Sequence, residues 1–126
     1  MDLILEYVAT VQAIDDINDT GLDNKKKAKE NNKLAVRLRA IASEIDRRHP
    51  DMKPDFYQLL FHEKATVRGW VAHHILEVMN YDDRYRADAL KEIAYISTHD
   101  KSINGLGNKM WLKQWFEKHP IDKNLL

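Results

Sequence analysis

Residues Phe56–Met79 read FYQLLFHEKATVRGWVAHHILEVM, and this stretch determines the predicted fold class. A short apolar segment ending at Phe61 precedes a polar turn at 62–65, and a second apolar segment begins at Thr66. In the second segment, apolar residues recur every three or four positions, which places them on one face of a helix: Val67, Val71, Ile75 and Val78. The pattern predicts two helices joined by a tight turn, a pair that buries its apolar faces only by stacking on other helices.

The same helical spacing recurs on both sides of this stretch, and no segment alternates in the manner of a strand. The predicted helices cover residues 2–18, 23 or 24 to 48, 54–61, 66–79, 82 or 83 to 97, and 108–118. Only four Gly and three Pro occur in 126 residues, which argues against a strand-rich sandwich or barrel. We therefore predict an all-α fold of six helices stacked as antiparallel hairpins, HEAT/armadillo-like, in a single domain over residues 1–126.

Local signals predict how the helices begin, end and pack. Asp2 is expected to cap the first helix, and Thr20-Gly21 to stop it through the left-handed backbone that glycine tolerates. The segment Asn104–Gly107 is expected to be a flexible connection, and the last six residues a loose tail. The last helix is expected to pack through its apolar side chains, Trp111, Leu112, Trp115 and Phe116.

Composition limits the function classes. The chain has no cysteine, which excludes disulfides, thiolate nucleophiles and cysteine-based zinc sites and favours a reducing cytoplasm. Acidic residues near the N-terminus do not suit a signal peptide, and no apolar run is long enough to span a bilayer. A net charge of zero argues against general nucleic-acid binding. We expect no membrane, nucleic-acid or small-molecule partner, and no cofactor.

Charge is unevenly distributed along the chain. Residues 1–23 contain six acidic residues and no basic one, which gives −6, whereas residues 24–48 contain nine basic and three acidic residues, which gives +6. One interpretation is that two antiparallel helices carry complementary charge. The other is that each faces an oppositely charged partner. Under either interpretation, the strongest acidic cluster consists of the same four residues: Asp15, Asp16, Asp19 and Asp23.

The candidate chemical sites are few. His73 and Glu77 are four residues apart on a helix and can offer two metal ligands, but His74 diverges from His73 by about 100° and no second pair follows. We therefore expect no metal site, a partly buried His74 and an exposed His73. Trp70 lies off the Val67–Val78 face, where it either anchors a partner or is covered by neighbouring helices. Because no set of residues forms a catalytic constellation, we expect no enzymatic activity.

A resemblance extends this interpretation. In Phe56–Met79 the Val67-Arg68 pair that opens the second helix resembles HEAT-type units, in which this arginine commonly reaches a neighbouring repeat. Residues 32–45 resemble such a unit more weakly and have their own Val-Arg pair at Val36-Arg37. Over roughly residues 3–116 the chain is similar to a family of short bacterial HEAT-like proteins of unknown function. Some members lie beside secreted or contact-delivered toxins and act as immunity proteins.

The resemblance implies an immunity protein that binds and neutralises a cognate bacterial toxin, with a basic nuclease as the favoured kind. The alternatives are a HEAT-like scaffold or regulatory adaptor that binds a protein or peptide, and an enzyme or nucleic-acid-repair protein built on helical repeats. The predicted partner-binding residues combine the acidic cluster with one face of the fourth helix: Asp15, Asp16, Asp19, Asp23, Trp70, His73 and Glu77.

Overall fold

The computed structural model describes residues 2–126, and every regular element within them is helical. The six α-helices are α1 (Leu3–Asn18), α2 (Asn24–Arg48), α3 (Lys53–Gln58), α4 (Ala65–Glu77), α5 (Asp83–His99) and α6 (Ile103–Lys118). Short 3-10 helices occupy Pro50–Met52, Leu59–Phe61 and Pro120–Leu125. The all-α prediction is confirmed, whereas the HEAT-like arrangement remains a prediction.

The chain divides into two compact units, one ending at Gln58 and the other covering Leu59–Leu126. The division falls inside the predicted helix 54–61, which the structure forms as α3 followed by a 3-10 turn. It also falls within the stretch that resembles a HEAT-type unit. The prediction of a single domain over residues 1–126 stays a prediction, and each unit is described on its own.

In the first unit, α1 and α2 form an antiparallel hairpin. Glu6, early in α1, pairs with Arg37 in the middle of α2, and the Asn18 side chain at the end of α1 accepts a hydrogen bond from Asn31. Side-chain caps start both helices: Asp2 accepts from the backbone N–H of Ile4 and Leu5, and Asp23 accepts from that of Lys26. The buried face of the hairpin is apolar: Tyr7, Val11, Ile14, Leu38, Ile41, Ala42 and Ile45.

In the second unit, α4 and α5 pack through the faces that their spacing predicts. Val67, Val71 and Ile75 are buried on α4, whereas Val78 is only partly buried. The buried residues of α5 are Ala89, Leu90, Ile93 and Ile96. A Cβ at Gly69 would lie 3.4 Å from the Cδ1 of Ile96, so the start of α4 meets the end of α5 and the two helices are antiparallel.

Arg68 ties this helix pair together. Its Nη1 donates to the backbone carbonyls of His62 at 2.7 Å and Glu63 at 3.1 Å, and its Nε lies 3.3 Å from Oε1 of Glu92 on α5. The guanidinium therefore holds the turn before α4 and the neighbouring helix at once. Burial raises the pKa of Glu92, and the charge and hydrogen bond of Arg68 oppose that rise.

The predicted flexible connection at Asn104–Gly107 is wrong, because these residues form the first turns of α6. Ser102 caps the helix by accepting from the N–H of Asn104. Gly105 is buried, and a Cβ there would lie 1.8 Å from the backbone oxygen of Asp100, so only glycine allows this close approach. The predicted left-handed stop at Gly21 is also wrong, because no glycine in residues 2–126 has a positive φ and Asp19 closes α1.

The predicted loose tail is wrong as well. Residues 120–125 form a 3-10 helix in which Asp122 is buried. Arg86 of α5 donates to Asp122 from Nη1 at 3.1 Å and from Nη2 at 2.5 Å, and the indole Nε1 of Trp115 donates at 2.9 Å. One carboxylate therefore joins the C-terminal segment to both α5 and α6.

Candidate functional site

The acidic cluster lies in the first unit, where α1 ends and α2 begins. Asp16 and Asp19 are exposed and Asp15 is half-buried. The Oδ1 of Asp16 accepts from Nε2 of Gln12 at 2.8 Å, while the backbone N–H of Asp19 closes the helix. The structure thus brings the first three carboxylates of the cluster onto the last turns of one helix.

Asp23 has a structural role within the same cluster. Its Oδ1 accepts from the backbone N–H of Lys26 at 2.9 Å, which caps the first turn of α2. An N-cap of this kind contributes about 1 kcal/mol to helix stability. The Asp23 side chain is therefore partly committed to α2, and Asp16 and Asp19 are the cluster members most available to a partner.

The basic start of α2 also contacts α1. Nζ of Lys27 donates to the backbone carbonyl of Asn18 at 3.2 Å, and Nδ2 of Asn31 donates to the Asn18 side chain at 2.7 Å. A carbonyl at a helix C-terminus carries partial negative charge, so a lysine is favourable there. Part of the charge asymmetry between the two helices therefore stabilises the hairpin.

Glu6 and Arg37 form an ion pair between these helices, which agrees with the interpretation that the two helices carry complementary charge. Nε and an Nη of Arg37 donate to the two carboxylate oxygens of Glu6 at 2.6 and 2.8 Å, a bidentate geometry. The hydrogen bonds that Arg37 donates to Glu6 lower the pKa of Glu6 and raise the pKa of Arg37. The pair confirms complementary charge at this point of the hairpin and leaves the acidic end of α1 as a separate surface.

In the second unit, His73 and Glu77 connect α4 to α6. Nδ1 of His73 lies 3.1 Å from Oε1 of Glu77, and Nε2 lies 2.7 Å from Oδ1 of Asn108. The indole Nε1 of Trp111 donates to the same Glu77 oxygen at 3.1 Å. Both nitrogens of His73 therefore meet oxygen atoms of neighbouring side chains.

The orientation of Asn108 determines which of its atoms faces His73. Its Nδ2 donates to the backbone carbonyl of Asn104 at 2.8 Å, which leaves Oδ1 facing His73. An amide oxygen only accepts, so Nε2 of His73 is the donor in that contact. The hydrogen bond from His73 lowers the pKa of Glu77, although its burial acts in the opposite direction.

His73 is less exposed than predicted. Its side chain is 23% exposed, and its ring packs edge-on against Trp111 with the centroids 4.6 Å apart. His74 is buried, more fully than predicted, and its ring lies 5.8 Å from that of the half-buried Trp70. Within residues 2–126 no three histidine, aspartate or glutamate side chains lie together in a way that could hold a metal ion.

Sequence reasoning missed Asn108, Arg86 and Asp122 as residues that organise the second unit. Asn108 lies at the predicted start of a helix, where a polar residue is unremarkable, and Asp122 lies in the predicted tail. Their partners come from other helices, so no local pattern marks them. Trp111 and Trp115, two of the residues through which the last helix was predicted to pack, stack on each other with their ring centroids 4.8 Å apart.

The predicted partner-binding residues thus form two groups. One is the acidic cluster of the first unit, and the other is the α4 face at Trp70, His73 and Glu77, where His73 and Glu77 bond to α6. No helix within residues 2–126 has the length and apolar character to cross a membrane. Comparison of the chain with protein families, curated proteins and solved structures finds no match.

Proposed function

We propose that this chain is an immunity protein that binds a cognate bacterial toxin and blocks its active site, with a basic nuclease as the toxin. The observation that carries the proposal is the exposed carboxylate surface of Asp16 and Asp19 at the end of α1, with Asp15 beside it. The resemblance of residues 3–116 to a family of short HEAT-like proteins, some members of which act as immunity proteins, supports the same assignment.

Charge explains why this surface suits a nuclease. A nuclease cleft is lined with basic groups that bind phosphate, so carboxylates on a rigid helix end offer it a similar charge pattern. Complementary potentials accelerate encounter and exclude partners of the wrong charge. The segment 1–23 contains no basic residue that would weaken this field from within.

Hydrogen bonds with α2 hold the end of α1 in place for such a contact. The last turn of α1 is closed by Asp19 and held by Lys27 and Asn31 of α2. Side chains on a preorganised helix lose little further conformational freedom when a partner binds. The binding energy is therefore available for desolvation and ion pairing.

The test begins with the reading frame directly upstream: the proposal expects it to encode a toxin, and that toxin is the binding partner used. The variant is Asp15→Asn, Asp16→Asn and Asp19→Asn together, which keeps side-chain volume and leaves the Asp23 cap intact. We expect the association rate at low salt to fall by roughly tenfold or more, and growth rescue in cells expressing the toxin to be lost.

The matched control replaces three exposed carboxylates elsewhere, Asp51→Asn, Asp55→Asn and Glu117→Gln. It changes net charge equally and should leave the association rate within about twofold of the parent, apart from a small general charge effect. Unaltered toxin binding by the Asp15/Asp16/Asp19 variant would show that this surface is not the interface. If the chain neither binds the toxin nor protects cells, the immunity function itself is refuted.

A further inference from the structure

The outer face of α6 is apolar and open to solvent. Ile103 is 88% exposed, Leu106 59% and Met110 55%, and their spacing of three and four residues places them on one stripe. The stripe lies opposite the buried Gly105 and Asn108. Single exposed apolar residues are ordinary on a protein surface, but three on one helix face mark a contact surface.

Lysines border this stripe. Lys109 and Lys113 follow Leu106 by three and seven residues, so they lie along one edge of the same helix face, and both are exposed. Leu106 and Lys109 also line a groove of about 320 Å³ near the end of α5, where two lysines and one carboxylate carry its charge: Lys101, Lys109 and Asp100. The surface therefore suits a helix that carries apolar side chains together with carboxylates.

The outer face of α1 has that character. Apart from Asn18, the exposed residues of α1 and its two caps follow helical spacing along one stripe: Asp2, Leu5, Ala9, Gln12, Asp16 and Asp19. Leu5 is 68% exposed, and the small side chain of Ala9 leaves room beside it for a partner's side chain. Three carboxylates and no basic residue lie on this face, so it complements the lysine-bordered stripe of α6 in both charge and polarity.

We infer that these two faces are the halves of one interface, in which α6 of one copy docks on α1 of a second copy. Apolar side chains meet at the centre of this interface. One copy contributes Ile103, Leu106 and Met110, and the other contributes Leu5 and Ala9. Lys109 and Lys113 then lie near the α1 carboxylates of the other copy. The inference does not rest on the toxin-binding proposal, but the α1 face includes Asp16 and Asp19, so a toxin bound at those carboxylates would compete with this self-association.

The interface has a defined consequence for assembly. Because the two contacting surfaces differ, the contact is heterologous, and such contacts build either open chains or closed rings. A single helix pair buries less than the roughly 1,200 Å² typical of stable complexes, so we expect a dissociation constant on the order of tens to hundreds of micromolar. Association should weaken as salt screens the lysine–carboxylate attraction.

Sedimentation velocity on the full chain tests the proposal through two variants, Leu106→Glu on α6 and Leu5→Lys on α1. Both side chains are exposed, and far-UV circular dichroism verifies that the helices are retained. We expect the weight-average mass of the parent to rise over about 10 to 1,000 µM, and each variant alone to associate at least about tenfold more weakly. Val36→Glu, at a 70% exposed valine of α2, is the matched control and should associate like the parent.

A mixing experiment distinguishes this contact from other arrangements. The Leu106→Glu chain keeps an intact α1 face and the Leu5→Lys chain an intact α6 face, so an equimolar mixture should form a 1:1 heterodimer and nothing larger. A parent that keeps the monomer mass throughout the concentration range overturns the proposal. So does a Leu5→Lys variant that still associates with itself, because that result identifies an α6–α6 dimer, and so does a mixture that stays monomeric.

Discussion

Arg86 and Asp122 form a two-point ion pair in which both guanidinium Nη atoms donate to the carboxylate oxygens of a buried aspartate. Trp115 adds a third donor to the same carboxylate. These contacts connect residues 36 positions apart in the chain and fasten the C-terminal 3-10 helix to α5 and α6. The Asp122 carboxylate thus links the C-terminal segment to two helices through three donors.

Replacement of Asp122 by Asn should destabilise the protein. The amide keeps the shape of the side chain but removes the charge that Arg86 pairs with, and it offers one acceptor oxygen in place of two. We expect the free energy of unfolding to fall by about 1–3 kcal/mol, as found when a buried charge-assisted hydrogen bond is broken. Urea denaturation measures the change, and the exposed Glu117→Gln on α6 should alter it by less than about 0.5 kcal/mol.

The same carboxylate should make stability depend on pH in the acid range. Burial alone would raise the pKa of Asp122, but hydrogen bonds from Arg86 and Trp115 and the charges of Arg86 and His119 hold it below its ordinary value. A folded pKa below the unfolded one, near 3.9, gives stability that is present above the unfolded pKa and lost as pH falls through the folded pKa.

Thermal unfolding between pH 7 and the acid limit checks this linkage. The difference in melting temperature between the parent and Asp122→Asn should be largest near neutral pH and should shrink below about pH 4. A difference that stays constant down to the acid limit would mean that the carboxylate charge contributes nothing to the attachment of the C-terminal segment.

Gly105 and Gly107 provide a matched pair on one helix. Alanine is favoured over glycine inside a helix by about 1 kcal/mol, so Gly107→Ala, whose Cβ would meet nothing within 4 Å, should stabilise the protein by up to that amount. Gly105→Ala would place its Cβ 1.8 Å from the Asp100 carbonyl oxygen, so the start of α6 must shift, and we expect a net loss of stability. Urea denaturation should show that the two substitutions change the free energy of unfolding in opposite directions. A stabilising Gly105→Ala would contradict the observed packing.

Asn108→Ala should weaken the attachment of α6 to α4. The substitution leaves Nε2 of His73 and the Asn104 carbonyl without their partner, and Asn108 is only 8% exposed. A loss of about 1–3 kcal/mol in the free energy of unfolding is expected, because polar groups in a partly buried site lose their hydrogen bonds. Gln114→Ala, at an exposed position of the same helix, is the control. An Asn108→Ala variant as stable as this control would show that the contact with His73 contributes nothing to stability.

Local chemistry predicted much of the first unit. Asp2 acts as the predicted cap, because an aspartate before a helix satisfies free backbone N–H groups wherever that helix packs. Asp23, predicted only as a partner-binding residue, caps α2 in the same way. The apolar stripe from Leu38 to Ile45 was likewise readable, since helical spacing needs no knowledge of the partner. The structure also forms the predicted charge complementarity, at Glu6 and Arg37.

The second unit was harder to predict because its decisive contacts link distant residues. Gly105 resembles a loop residue locally, and only the approach of the Asp100 carbonyl makes it a packing requirement. Asp122 follows a proline near the end of the chain, and its partner Arg86 lies on another helix. The acidic cluster could be identified from the sequence alone. The hydrogen bonds of His73 and Glu77 to α6 could not, because residue spacing within a helix does not show which other helix packs against it.

The stacked rings of Trp111 and Trp115 give the molecule its own optical reporter. Two of its three tryptophans lie 4.8 Å apart, nearly parallel with an interplanar angle of 13°, and their indole N–H groups donate to Glu77 and Asp122. Indoles held this closely couple their electronic transitions, so detachment of α6 should change the near-ultraviolet dichroism before the helical signal is lost. The docking of one helix can therefore be followed in solution without any added label.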